Sequence, residues 1–119
     1  MKEQRKIKRR YLLYYMRIYD AVTHQQIGNL VDITPKGFMI VGEHPVPDGQ
    51  TFRLRMELTS EVAEKPFLEF SACSKWCKPD VTPSMYNSGF EILGLAHEDI
   101  TIIQRIIEEF GFRDNTLAE

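Results

Sequence analysis

The sequence predicts a mainly β fold: a small six-stranded antiparallel β-barrel with a C-terminal α-helix. Six short apolar runs, several of them alternating with period two, are separated by connections rich in proline, glycine and asparagine. The period turns helical only near the end of the chain, where Ile100, Ile103, Ile107 and Phe110 recur with Ile106 among them. A length of 119 residues with 43% hydrophobic content is enough for one core and too little for two. The expected organisation is a flexible basic arm at residues 1–10, a single barrel domain with its helix at 11–113, and a tail at 114–119.

The arm lacks apolar periodicity and is densely charged, which predicts no fixed structure on its own. From Leu12 the pattern changes: Leu12, Tyr14, Met16 and Ile18 alternate with Leu13, Tyr15, Arg17 and Tyr19 as a first strand. Residues 20–25 connect it to a second strand at 27–33. This ends in the run Asp32-Ile33-Thr34-Pro35-Lys36-Gly37, where a proline that cannot donate and a glycine free to take positive φ predict a turn. Residues 38–41 resume as the third strand, so the two form a hairpin.

Two prolines and a glycine make residues 44–50 a loop. The fourth strand comes next, with Phe52, Leu54, Met56 and Leu58 on one face and Arg53, Arg55 and Glu57 on the other. After a polar connection at 59–66, residues 67–77 read as a long fifth strand, with Phe70, Ala72, Ser74 and Trp76 on one face and Ser71, Cys73, Lys75 and Cys77 on the other. Residues 78–88 are predicted to be the longest irregular connection, and residues 89–95 the sixth strand. Glu98 and Asp99 in the first turn of the helix suit its positive end, and Gly111 is a natural stop.

Several function classes find no support. No apolar stretch approaches bilayer length, since the run 11–16 meets Arg17 at once, and no small-residue cleavage pattern comes after it; the expected location is cytoplasmic. Cys73 and Cys77 have neither redox nor zinc spacing, and a disulfide within one straight strand is geometrically poor. His24, His44 and His97 fall in loops or at the helix start, with no nucleophile placed beside them. No phosphate loop or metal cluster is evident either, so a binding module without enzymatic activity or cofactor is expected.

Charge is strongly segregated. The net charge of −2 divides into +5 over the first ten residues and −7 over the remaining 109, so a chain coated for a nucleic acid polymer is not expected. A weaker reading gives Arg53, Arg55 and the aromatic faces to single-stranded nucleic acid. Within the arm, Arg5 and Arg9 are spaced Arg-x-x-x-Arg with Arg10 adjacent, while Lys6 and Arg10 share the same spacing. Guanidinium groups bind phosphate oxygens and the O6/N7 edge of guanine in bidentate fashion. Asp32 is the complement, because a carboxylate accepts from guanine N1–H and N2–H together, with the Thr34 hydroxyl and the backbone at Gly37 close by. Taken singly, the first motif is more often a solvated tail, and the second more often a turn whose side chains bond their own backbone. Trp76, the single tryptophan, either borders such a site and meets a purine or arginine face, or caps the barrel core.

Taken together, an Arg-x-x-x-Arg arm before the first strand and Asp-x-Thr-x-x-Gly between the second and third strands of a six-stranded barrel with a terminal helix resemble the PilZ domain family. The resemblance extends over essentially the whole chain, including Gly89-Phe90 of the last strand. It implies a receptor for the bacterial second messenger cyclic di-GMP. Arg5, Arg9, Asp32, Thr34 and Gly37 then match the family's two motifs, with Arg10 a further candidate and Thr34 standing where the family usually has serine. The ligand would order the arm and signal to a downstream protein partner. The alternative is a PilZ-like adaptor that works by protein contacts without nucleotide.

Overall fold

The computed structural model describes residues 16–60 and 62–110. The predicted arm at 1–10, the first half of the first predicted strand and the tail at 114–119 lie outside the described residues. Six strands come in order: β1 (Arg17–Asp20), β2 (Gln26–Thr34), β3 (Gly37–Gly42), β4 (Thr51–Glu57), β5 (Phe67–Pro79) and β6 (Tyr86–Gly94), and then helix α1 (His97–Phe110). They close a barrel in the order β1-β2-β3-β6-β5-β4, every pair antiparallel. The predicted mainly β barrel with one C-terminal helix is the fold observed.

Closure results from the alternation. Ile18, Leu30, Ile33, Ile40, Leu54, Met56, Leu68 and Phe70 point inward and are essentially fully buried. Phe90 is stacked with Phe38 at 5.0 Å between ring centroids, and Phe70 meets Phe38 edge-on at 5.6 Å. The helix adds Ile103 and Ile106 to the same core, together with Val62 from the β4–β5 connection. That connection is tied to the first turn of α1 by Lys65 Nζ and Asp99 Oδ1, 3.1 Å apart. Helix and connection therefore cover the end of the barrel that carries the β2–β3 hairpin, and the opposite end is formed by the β1–β2, β3–β4 and β5–β6 connections.

Three local expectations are corrected. The sixth strand begins at Tyr86, so the connection predicted at 78–88 shrinks to residues 80–85. The loop closes early because Asp80 N–H donates to the Met85 carbonyl (2.9 Å) while Asp80 carboxylate oxygens accept from Asn87 Nδ2 (2.8 Å) and Thr82 N–H (3.1 Å). Those bonds hold the Asp80 carboxyl below its ordinary range, the Asn87 bond most of all.

Second, Gly37 does not serve the turn through a positive φ, since Gly49 is the one described glycine with that conformation. A Cβ at Gly37 would instead run into the carbonyl oxygen of Phe90 on β6, so glycine is required by close strand approach.

The third correction concerns β5. Leu68, Phe70, Ala72 and Ser74 face inward as expected, but the β5–β6 register slips between Ser74 and Trp76. Lys75 is the extra residue, and a bulge of this kind re-aims the side chains beyond it. Trp76 pairs with Gly89 on the outer face, and Cys77 pairs with Ser88, which is buried inside. Trp76 therefore parts company with Ser74, and Cys73 with Cys77. Both cysteines are free thiols.

Truncation of Phe70 to alanine should cost about 3–5 kcal/mol of stability in urea unfolding, because it empties the centre of the barrel. Leu93→Ala, at a half-exposed position, should stay within about 0.5 kcal/mol. Equal effects from the two substitutions would contradict this assignment of the core.

Candidate functional site

The register across four strands places side chains that lie far apart in sequence in single rows. Asp32 on β2 pairs with Met39 on β3, Met39 with Gly89 on β6, and Gly89 with Trp76 on β5. Their neighbours Ile33, Phe38 and Phe90 are buried inside, so this row faces outward. Three inter-strand spacings make it about 14 Å long. A second register slip, between Leu30 and Asp32, precedes the row on β2 just as the Lys75 slip precedes it on β5.

The turn beside Asp32 is built by Thr34. Its hydroxyl accepts from the N–H groups of Lys36 and Gly37 (3.2 Å each) and donates to the Gly37 carbonyl (3.3 Å). Neither Pro35 nor Lys36 has positive φ, so the two-residue hairpin does not use the primed turns that match strand twist, and these bonds stabilise the less suited geometry. A hydroxyl has one hydrogen and two lone pairs; Thr34 employs all three within its own turn. The Lys36 carbonyl accepts from Ile92 N–H at 2.8 Å, which fixes the turn to β6. Asp32 is exposed, and its Oδ1 accepts from Ile33 N–H at 2.9 Å.

At the far end of the row the indole of Trp76 lies on Gly89, where any Cβ would collide with Nε1, Cε2 and Cζ2 of the ring. Gly89 is buried for that reason, while Trp76 keeps 36% of its surface exposed. The Lys78 ammonium sits over the ring, 5.6 Å from its centroid. Trp76 is thus a surface platform and not the cap of the core.

Of the sequence-predicted site residues, the fold brings Asp32, Thr34, Gly37 and Trp76 to one outer face. Arg5, Arg9 and Arg10 lie outside the described residues. The described chain begins at Met16, whose carbonyl accepts from Leu30 N–H (2.9 Å), two residues from Asp32. The described chain therefore begins beside this face. Met39 and Gly89 complete the row and are not among the predicted site residues; Gly89-Phe90 enters the sequence reading only as part of the family resemblance.

The other basic pair is committed elsewhere. Arg55 Nη2 lies 2.8 Å from Glu69 Oε2 with its guanidinium over the Phe67 ring, and Arg53 bonds Ser71 and faces the same carboxylate. Hydrogen bonding and charge from Arg55 draw the Glu69 carboxyl below its ordinary range. This is an exposed ion-pair lattice and not a groove lined with positive charge. Among the described residues no group of three or more His, Cys, Asp or Glu is placed to hold a metal ion, and no helix is long and apolar enough to cross a membrane.

The barrel, with this strand order and its C-terminal helix, has a PilZ-like fold. The chain is similar to the PilZ domain of YcgR from Escherichia coli, solved with c-di-GMP, at a TM-score of 0.58 and 15% identity over 89% of each chain. It is also similar to the Bacillus subtilis inhibitor of motility MotI/DgrA, with a TM-score of 0.60 and 18% identity, covering 85% of this chain and 46% of that one. PlzA of Borreliella burgdorferi, solved in complex with c-di-GMP, matches at a TM-score of 0.50 and 9% identity over 99% of this chain and 58% of its own. The chain thus spans about half the length of two of these proteins. No protein-family model matches the sequence, and no curated protein does. At these identities the likeness is one of fold.

The Trp76–Gly89 contact is testable directly, because Trp76 is the single tryptophan. Gly89→Ala should lift the indole from β6 and shift its fluorescence emission to the red, with the far-ultraviolet circular dichroism of the barrel retained. Unchanged emission in a folded variant would mean that the ring does not rest on Gly89.

Proposed function

We propose that this protein is a bacterial cytoplasmic receptor for cyclic di-GMP, binding it on the outer face of β2, β3, β6 and β5 without catalysis. The observation that carries the reading is the single outward row running from the Asp32 carboxylate to the Trp76 indole over Met39 and Gly89. Asp32 accepts from the N1–H and N2–H edge of one guanine, and a carboxylate can take both bonds at once. The exposed part of the Trp76 indole, which covers Gly89, offers an apolar surface for a purine. Thr34 and Gly37 act by shaping the hairpin that presents Asp32, through the turn bonds and the close approach to Phe90.

Phosphates require cations, and Arg5 and Arg9, with Arg10 as the third candidate, supply them from the segment that joins β1 beside the site. Ordering that segment costs about 1–2 kcal/mol per fixed backbone residue, so several charge-assisted bonds must offset it. The ordered arm then presents a new surface to a downstream protein partner. The c-di-GMP bound by the similar PilZ domain of YcgR and by PlzA supports this choice of ligand.

A second reading, a PilZ-like adaptor that binds protein and no nucleotide, is favoured by one observation: the Thr34 hydroxyl is wholly engaged within its own turn.

Titration calorimetry with cyclic di-GMP separates the two. Asp32→Ala and Arg9→Ala should each weaken binding by about 10- to 100-fold, the scale of a hydrogen bond to a charged group, and Arg5→Ala should act in the same direction. Heat from the wild type that all three variants reproduce would refute the site; absence of heat at millimolar nucleotide would favour the adaptor.

A further inference from the structure

The described residues also form a cleft away from the face that carries Asp32 and Trp76. It opens at the opposite end of the barrel, between the β1–β2, β3–β4 and β5–β6 connections, with a volume of about 550 Å³. Its floor is apolar, made by Ile27, Val46, Phe52 and Met85, each half-buried. Asp20 and Glu43 stand among its lining, which includes no lysine or arginine. Val22 and Val81, 75% and 97% exposed, lie in the β1–β2 and β5–β6 connections that border it.

We infer that this mouth of the barrel docks a short basic segment of a partner protein, an apolar side chain entering the floor and flanking lysine or arginine meeting Asp20 and Glu43. Barrel mouths of this volume are common binding sites. The charge selects the occupant: two carboxylates, with His44 beside Glu43 and no lysine or arginine in the lining, disfavour phosphates and anionic lipid headgroups and attract ammonium and guanidinium groups. The cleft is also preorganised. Buried Ser74 fastens the β3–β4 connection to β5 by donating to the Pro47 carbonyl (2.5 Å) and accepting from Gln50 N–H (3.0 Å). Asp20 Oδ1 is fixed by the N–H groups of Val22 (2.8 Å) and Thr23 (3.1 Å). A wall held in place lowers the ordering cost of binding. The chain's own basic residues 1–10 are the less suited occupant, because β1 runs toward this mouth and its start lies on the hairpin side.

The full chain, labelled with ¹⁵N, is titrated with the blocked peptide Lys-Leu-Lys-Leu-Lys and with its glutamate-for-lysine counterpart. The basic peptide should give saturable amide shifts centred on Ile27, Glu43, Val46 and Met85, the acidic peptide none, and Glu43→Lys should weaken binding at least tenfold while leaving the spectrum folded. The inference is overturned by shifts that do not saturate, by equal response to the acidic peptide, by indifference to Glu43→Lys, or by shifts centred on Asp32 and Trp76. A synthetic peptide of residues 1–10 that occupies the cleft more tightly than the probe would also overturn it, in favour of a self-docked arm. None of these outcomes bears on cyclic di-GMP binding at the other face.

Discussion

Cross-strand register is the constraint on which the rest of this molecule depends. In a closed antiparallel barrel every residue has its face decided by a period of two, and a slip of one residue exchanges inside for outside. Here the slips sit beside the residues that matter, at Val31 before Asp32 and at Lys75 before Trp76. Without the second, Trp76 would join Ser74 inside, against a core already filled by Phe38, Phe70 and Phe90. With it, the indole lies outside on Gly89, and a carboxylate and an aromatic ring face the same stretch of solvent. The glycines obey the same logic: Gly37 and Gly89 are positions where a neighbour, the Phe90 carbonyl or the Trp76 ring, occupies the space of a side chain.

Register also explains what the sequence could and could not reveal. The elements and their closure were legible because apolar alternation and helical spacing are local signals, and β4 with Leu54 and Met56 inside is the clearest case. The faces of β5 beyond Ser74 were not, since a bulge leaves no mark in a pattern of alternating residue types. The early start of β6 was missed for a related reason: Tyr86, Asn87 and Ser88 read as loop residues, yet pairing with Pro79, Lys78 and Cys77 makes them strand. Asp32, Thr34 and Gly37 were found as a motif, whereas the part of Gly37 came from a contact with β6 that no local reading contains.

The two ends of the barrel have different chemistry because different elements close them. Helix α1 and the β4–β5 connection, joined by Lys65 and Asp99, fill the hairpin end with Val62, Ile103 and Ile106. No comparable apolar plug among the described residues reaches the other end, where three connections surround an open cleft. Ser74 links the halves of the molecule: its side chain fixes the β3–β4 connection, and it is the last inward residue before the slip that exposes Trp76.

Charge gives the last step. The outward rows around Asp32 and Trp76 contain few uncommitted cations among the described residues, for Lys75 faces Glu91 at 3.5 Å and Lys78 lies over the indole. Asp32 and Glu91 offset the charge that Lys36, Lys75 and Lys78 contribute, and exposed pairs of this kind supply only about 0–1 kcal/mol each. These side chains leave the face close to neutral, with little surplus charge for a ligand with two phosphates. The chain's one concentrated surplus of positive charge is the +5 of residues 1–10, and it precedes a strand that starts beside Asp32. On the function proposed above, a phosphate-bearing nucleotide on this face would draw on that surplus.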